Sequence, residues 1–210
     1  MRNKAPWLIF AVRSMGASFF AIAMGATALA DEQGPGEYIE KSPRGRFTIT
    51  QRWVKPDYIA TDADCDDSDC GWQAVLKFAD NSKQEVTLAA HPEWYAWPAV
   101  YSISPDEQWI IRQQKTGSGE SALFLYRIGP NAQVWRMAQP LDDLIFATLL
   151  APKHRTRDDY YHLEVIVVSW ALSTGRVHLR AYATPNDRDQ EALRGRAVTF
   201  DLKKHTVRPE

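Results

Sequence analysis

Cysteine is nearly absent from this chain, with two residues in 210. That excludes a small disulfide-dense scaffold and any multi-cysteine zinc domain. The five histidines, His91, His154, His162, His178 and His205, show no His-x-His or His-x-x-x-His spacing, so no histidine metal signature is present. A surplus of positive charge is missing too: 25 Lys and Arg stand against 26 Asp and Glu. That balance argues against a nucleic-acid partner. Catalytic motifs are absent as well. Gly117-Ser118-Gly119 lacks the Gly-x-Ser-x-Gly spacing of a nucleophile elbow and the terminal Lys of a phosphate loop, and reads as a hairpin turn.

Long apolar runs are scarce. The longest lies near the N-terminus, where Ser14 to Leu29 holds 16 uncharged residues. This is short for a bilayer core of roughly 30 Å. Arg2, Lys4 and Arg13 precede it, Ala28-Leu29-Ala30 closes it with small side chains, and Asp31-Glu32 follow. This layout predicts a secretory signal cleaved after Ala30, and hence a periplasmic or secreted protein with no stable membrane insertion after cleavage. Removing those three cations from the 25 leaves 22 basic residues against 26 acidic ones. In an oxidising compartment Cys65 and Cys70 are expected to pair, closing a loop too short to stabilise much.

What remains, residues 31–210, is expected to form a single β-rich domain, with 31–41 as a flexible lead-in. Apolar and polar residues alternate in Phe47/Ile49/Trp53, Trp72/Ala74/Leu76/Phe78, Phe124/Tyr126/Ile128, Leu163/Val165/Val167, Val177/Leu179/Ala181 and Val198/Phe200. Period two with turn residues between runs predicts eight to ten antiparallel strands, in propeller-like or sandwich-like hairpins. Leu172-Ser173-Thr174-Gly175 reads as a tight connection with Gly175 free to take positive φ. One helix near 141–151 is expected from the spacing of Leu141, Leu144, Ile145 and Leu149, with Asp142 and Asp143 at its positive end and Pro152 closing it.

Two segments repeat at an offset of 62 residues. Ser42-Pro43-Arg44-Gly45-Arg46-Phe47-Thr48-Ile49-Thr50-Gln51 aligns with Ser104-Pro105-Asp106-Glu107-Gln108-Trp109-Ile110-Ile111-Arg112-Gln113. Both share Ser-Pro, an aromatic five positions after the opening serine, then Ile and Gln. The pattern resembles the strand-opening motif of bacterial WD40-like and TolB-type propeller repeats, although the first copy lacks Asp and the second lacks Gly. Together with the export signal it also resembles that of small exported bacterial proteins. A closed propeller needs at least four blades of roughly 40 residues or more. At this period the chain has room for about three, so the resemblance implies propeller-like hairpins and no specific activity.

Two clusters are candidate sites. Asp62, Asp64, Asp66, Asp67 and Asp69 put five carboxylates in eight positions around the two cysteines. Asp62, Asp64 and Asp66, with Asp69, suit the oxygen ligation of calcium. However, the sixth position of such a loop is Asp67 instead of Gly, and the twelfth is Gln73 instead of Glu. No cofactor is otherwise implied. The second cluster is Trp94, Tyr95, Trp97 and Tyr101, with Pro92 and Pro98 between and beside them. Large rings on Pro-bounded segments suit a glycan or an envelope protein as partner; the same rings would also serve as the end of a β core. Arg112 and Lys115 form a local basic spot, and His162 and His178 are placed to meet across a hairpin. The leading expectation is a non-enzymatic exported binding module. The alternatives are an envelope hydrolase whose site assembles only in the fold, and a calcium-stabilised structural domain.

Overall fold

A computed structural model describes residues 37–54, 71–80, 85–88 and 97–210. Three four-stranded antiparallel sheets follow one another along the chain. The first holds β1 (Tyr38–Lys41), β2 (Phe47–Val54), β3 (Gly71–Phe78) and β4 (Glu85–Thr87). The second holds β5 (Val100–Ile103), β6 (Trp109–Gly117), β7 (Glu120–Ile128) and β8 (Val134–Arg136). The third holds β9 (Tyr160–Ala171), β10 (Arg176–Pro185), β11 (Leu193–Asp201) and β12 (Thr206–Pro209). Each sheet is a meander, its strands neighbours in chain order. The expected mostly β, antiparallel fold is what is found.

Among the described residues there are twelve strands, more than the eight to ten expected. β1, β5, β8 and β12 are three or four residues long and lie at sheet edges. A segment that short has no room to display a period of two. β1 also corrects the expected lead-in: Tyr38–Lys41 pairs with Thr48–Gln51 of β2.

The one α-helix among the described residues, α1 (Leu141–Leu150), falls where its spacing predicts. Pro140 precedes it and the turn containing Pro152 follows. It buries Leu141, Ile145, Phe146, Leu149 and Leu150. These join Ile111, Leu123 and Leu125 of the second sheet and Val165, Val177, Leu179 and Phe200 of the third in one core. A second core lies between the first two sheets. There Phe47, Ile49, Leu76 and Phe78 meet Ile110, Phe124, Tyr126 and Ile128. The second sheet is thus the middle layer and is buried on both faces.

The repeat is a structural one. In the first copy the Ser42 carbonyl accepts the Gly45 N–H at 2.9 Å, and Ser42 Oγ accepts the Phe47 N–H at 3.0 Å. In the second, the Ser104 carbonyl accepts the Glu107 N–H at 2.8 Å, and Ser104 Oγ accepts the Trp109 N–H at 2.9 Å. The serine hydroxyl satisfies the first amide of the next strand, which the turn would otherwise leave unpaired. The third sheet makes the same turn without the motif, with the Leu172 carbonyl accepting the Gly175 N–H at 3.0 Å. Positive φ recurs at the fourth position: Gly45 +75°, Glu107 +57°, Gly175 +65°.

No closed propeller is present among the described residues. The first sheet turns its Phe47 and Ile49 face onto the opposite face of the second, as successive blades do. The third turns its equivalent face, Val177, Leu179 and Ala181, back toward Ile111 and Leu125. The second and third sheets therefore meet face to face across α1, which is a sandwich-like arrangement.

Glu107 explains why the second copy departs from Gly. It is buried, and its Oε1 accepts the Arg44 N–H of the first turn at 2.5 Å. Arg46 Nη2 donates to the Gly129 carbonyl at 3.0 Å beside it. The residue that breaks the glycine pattern ties the first two repeats together. Glu107→Gly should relieve about 1 kcal/mol of left-handed strain. It should lose more than that, about 1–3 kcal/mol, in the buried hydrogen bond and packing. The expected net result, readable as a lower urea midpoint, is a loss of about 1 kcal/mol, even though the change restores the repeat.

Candidate functional site

Buried glutamines and an arginine position the aromatic segment. Gln51 of β2 reaches across to Ala99, accepting its N–H at 2.6 Å and donating to its carbonyl at 2.9 Å. Gln114 of β6 donates to the Trp97 carbonyl at 2.9 Å. Arg112 donates to Gln114 Oε1 from Nε at 3.1 Å and from Nη2 at 2.7 Å, and to the Leu88 carbonyl from Nη1 at 2.8 Å. Side chains from two sheets therefore hold the backbone of 97–99, while Pro98 fixes its own φ.

The Trp97 ring emerges from that anchored backbone 40% exposed. Lys115 Nζ lies 4.6 Å from its ring centroid, a cation–π contact. The ring borders a shallow groove of about 520 Å³ between the second and third sheets. Gln113, Glu120, Ser121 and Glu164 also line it. Gln113 Nε2 donates to Glu164 Oε1 at 3.2 Å. Ser121 is only 7% exposed, yet among the described residues its hydroxyl has no hydrogen-bond partner. A buried polar atom in that condition is costly unless something outside the chain satisfies it.

The β6–β7 hairpin tip is set against β9 by close contact. A Cβ on Gly119 would lie 2.2 Å from His162 Cδ2, and Gly119 has φ +78°. Only glycine meets both demands. His162 itself has φ +52° in a bulge where Tyr161 pairs with Thr184 and Glu164 with Tyr182. The bulge locally re-aims β9, at the point where Glu164 lines the groove.

Of the expected aromatic site, Trp97 stands at the surface. Tyr101 does not join it. It is buried between the first two sheets, its hydroxyl has no hydrogen-bond partner among the described residues, and its pKa is raised by burial. Trp94 and Tyr95 lie outside the described residues, as do Asp62, Asp64, Asp66, Asp69, Cys65 and Cys70. Among the described residues, no three His, Cys, Asp or Glu side chains are grouped to hold a metal ion.

Two other expectations are corrected, and a third is extended. Arg112 belongs to the interior at 1% exposed and shares no surface spot with Lys115. Alternation along β6 places it on the Ile110 face, which is a core face because the sheet is buried on both sides. His178 pairs with Ser169, so it does not meet His162. Its Nδ1 instead lies 3.2 Å from Thr199 Oγ1 and 3.0 Å from Glu210 Oε1. Asp142 does more than sit at a helix end. Its Oδ1 accepts the Leu123 N–H at 2.8 Å, and its Oδ2 accepts from Arg157 Nη1 at 2.7 Å. β8 pairs only with Tyr126–Ile128, so the Leu123 amide has no strand partner on that side.

The described residues thus form three antiparallel β-sheets with one packed helix and an aromatic-edged groove between the second and third sheets. No protein-family model matches the chain, and no curated protein shows significant similarity to it.

Proposed function

We propose that this chain is an exported, non-enzymatic binding module of the cell envelope, and that the Trp97 groove is its ligand site. The supporting observation is the half-exposed Trp97 ring on a backbone anchored by Gln51 and Gln114. An indole held this way offers a large contact area with little left to order on binding. Amide, carboxylate and hydroxyl groups from Gln113, Glu164 and Ser121 stand beside it. A ring face with such groups around it suits a pyranose, whose C–H face stacks while its hydroxyls hydrogen-bond. A glycan therefore fits this groove better than a protein segment does. The compartment follows from the character of residues 1–30, and in that compartment Cys65 and Cys70 would pair.

The test is co-sedimentation of the purified protein with insoluble glycans, namely peptidoglycan sacculi, chitin and cellulose, with soluble fragments of the best binder as competitors. Trp97→Ala is expected to weaken binding at least tenfold, about 1.4 kcal/mol, with an unchanged far-UV spectrum. Retention of full binding by that variant, or no binding to any of the three, would reject the groove as a glycan site. Cell fractionation with N-terminal sequencing tests the compartment: a protein recovered in the cytoplasm with residues 1–30 attached would contradict export.

A further inference from the structure

A concavity of about 1030 Å³ lies where the C-terminal end of α1 meets β11. Leu149, Pro152 and Leu193 form its apolar part, and Tyr161 stands at its side. Lys153, Arg188, Arg194 and Arg196 line it against a single carboxylate, Glu191. Lys153 Nζ bonds Glu191 Oε2 at 2.7 Å, and that hydrogen bond holds the Glu191 carboxyl below its ordinary range. Those two charges satisfy each other. Among the described residues, none of the three guanidinium groups lies within ion-pair distance of a carboxylate.

The backbone brings two of the arginines together. Gly195, at φ +74°, is the extra residue of a bulge, so Arg194 stands opposite Tyr182 and Arg196 opposite Ala181 on successive rungs. A Cβ at Gly195 would lie 3.0 Å from Tyr182 Oη. Three cations around one concavity repel one another; Glu191 attracts Arg196 at longer range, but among the described residues none of the three guanidinium groups is held in an ion pair. The cluster is more notable because the chain as a whole carries more acidic than basic residues. A guanidinium fork matches phosphate oxygens two at a time. The apolar floor and the Tyr161 ring would lie against a sugar ring.

We propose that this groove binds a saccharide bearing two or more phosphate groups, with Arg188, Arg194 and Arg196 as its phosphate contacts. The site is separate from the Trp97 groove and does not depend on it. Such a ligand could be a free sugar bisphosphate or a lipid-borne headgroup, and two probes separate these sources. The first is titration with fructose 1,6-bisphosphate. The second is sedimentation with phosphatidylcholine vesicles containing lipid A, a diphosphorylated disaccharide on acyl chains, beside vesicles containing phosphatidylglycerol instead. Binding to at least one of the two phosphosugar probes is expected. The double variant Arg194→Gln/Arg196→Gln should weaken it at least tenfold, and Lys77→Gln on the first sheet should leave it unchanged. Binding to lipid A vesicles alone would assign the lipid-borne source. Binding to neither phosphosugar probe would overturn the proposal. So would equal binding to phosphatidylglycerol vesicles, an unaffected double variant, or an equal loss in Lys77→Gln. Both arginines are exposed, so the double variant should fold, which far-UV circular dichroism verifies.

Discussion

Replacing Arg112 by methionine is expected to lower the unfolding free energy by about 3–5 kcal/mol and the melting temperature by roughly 10 °C. Exchanging a buried charge for an apolar side chain is sometimes harmless, because it removes the cost of desolvating the ion. Arg112 differs because of what it leaves behind. Its Nη1 satisfies the Leu88 carbonyl at 2.8 Å, and Leu88 is itself fully buried. Nε and Nη2 both bond Gln114 Oε1, and the same glutamine amide holds Trp97. Methionine fills the volume but donates to neither oxygen: the Leu88 carbonyl keeps only the long hydrogen bond from Tyr126 Oη at 3.5 Å, and Gln114 Oε1 loses both of the arginine's donors. Each buried acceptor left without a donor costs about 1–3 kcal/mol. Lysine should fall between the two, since it keeps a donor but not the fork that spans Gln114 and Leu88. Urea unfolding of the three proteins, together with Trp97 fluorescence, checks the chain of consequences. A methionine variant as stable as the parent would show that Arg112 does not hold the interface between the first two sheets.

Asp142→Ala should cost about 2–3 kcal/mol, because the Leu123 amide then has no acceptor and Arg157 loses one of its two carboxylate partners. Asp142→Asn should cost less, because an amide oxygen can still accept from Leu123. The two proteins should also differ in pH dependence. Burial raises the Asp142 pKa above its usual value, against the opposing effects of the Arg157 and Leu123 hydrogen bonds. The native state then holds this proton more tightly than the unfolded chain does. The resulting stability is fully present below the unfolded carboxyl pKa, about 3.9, and is lost as pH rises through the higher folded value. Asn lacks that titration. The deficit of Asp142→Asn relative to the parent should therefore be largest in acid and shrink toward neutral pH. A deficit that grows with pH would mean that Arg157 and Leu123 outweigh burial at this carboxylate.

Much of the scaffold was legible in the residues. The alternation of Phe47, Ile49, Ala74, Leu76 and Phe78 announces strands with one buried face, because a period of two admits no other regular structure. The spacing of Leu141, Ile145 and Leu149 between two prolines announces the helix. The repeated Ser-Pro turns were legible because Ser42 and Ser104 act on amides only five residues away. The third turn, at Leu172–Gly175, shows the same backbone without the serine. Only its fourth-position glycine and the apolar Val177 hint at the kinship.

The site was less legible, for a definite reason. Gln51, Arg112 and Gln114 look like ordinary polar residues on half-exposed strands. They become interior groups because the second sheet is covered on both faces, and no local pattern states how many neighbours a sheet will have. Tyr101 and Trp97 sit four residues apart in one aromatic run, yet one is core and the other is surface. Likewise, Arg188, Arg194 and Arg196 share the ten-residue stretch 187–196 with Asp187, Asp189 and Glu191, so along the chain their charges largely cancel. The bulge at Gly195 and the end of α1 gather the cations, with Lys153, around one concavity.

The sequence by itself determined the strands, the helix and the turn chemistry, since each depends on contacts within a few residues. Tertiary structure alone decided which polar side chains are buried, which ring is exposed and where positive charge collects. Those properties depend on surfaces brought together from distant parts of the chain, and local periodicity carries no information about the partner on the other side.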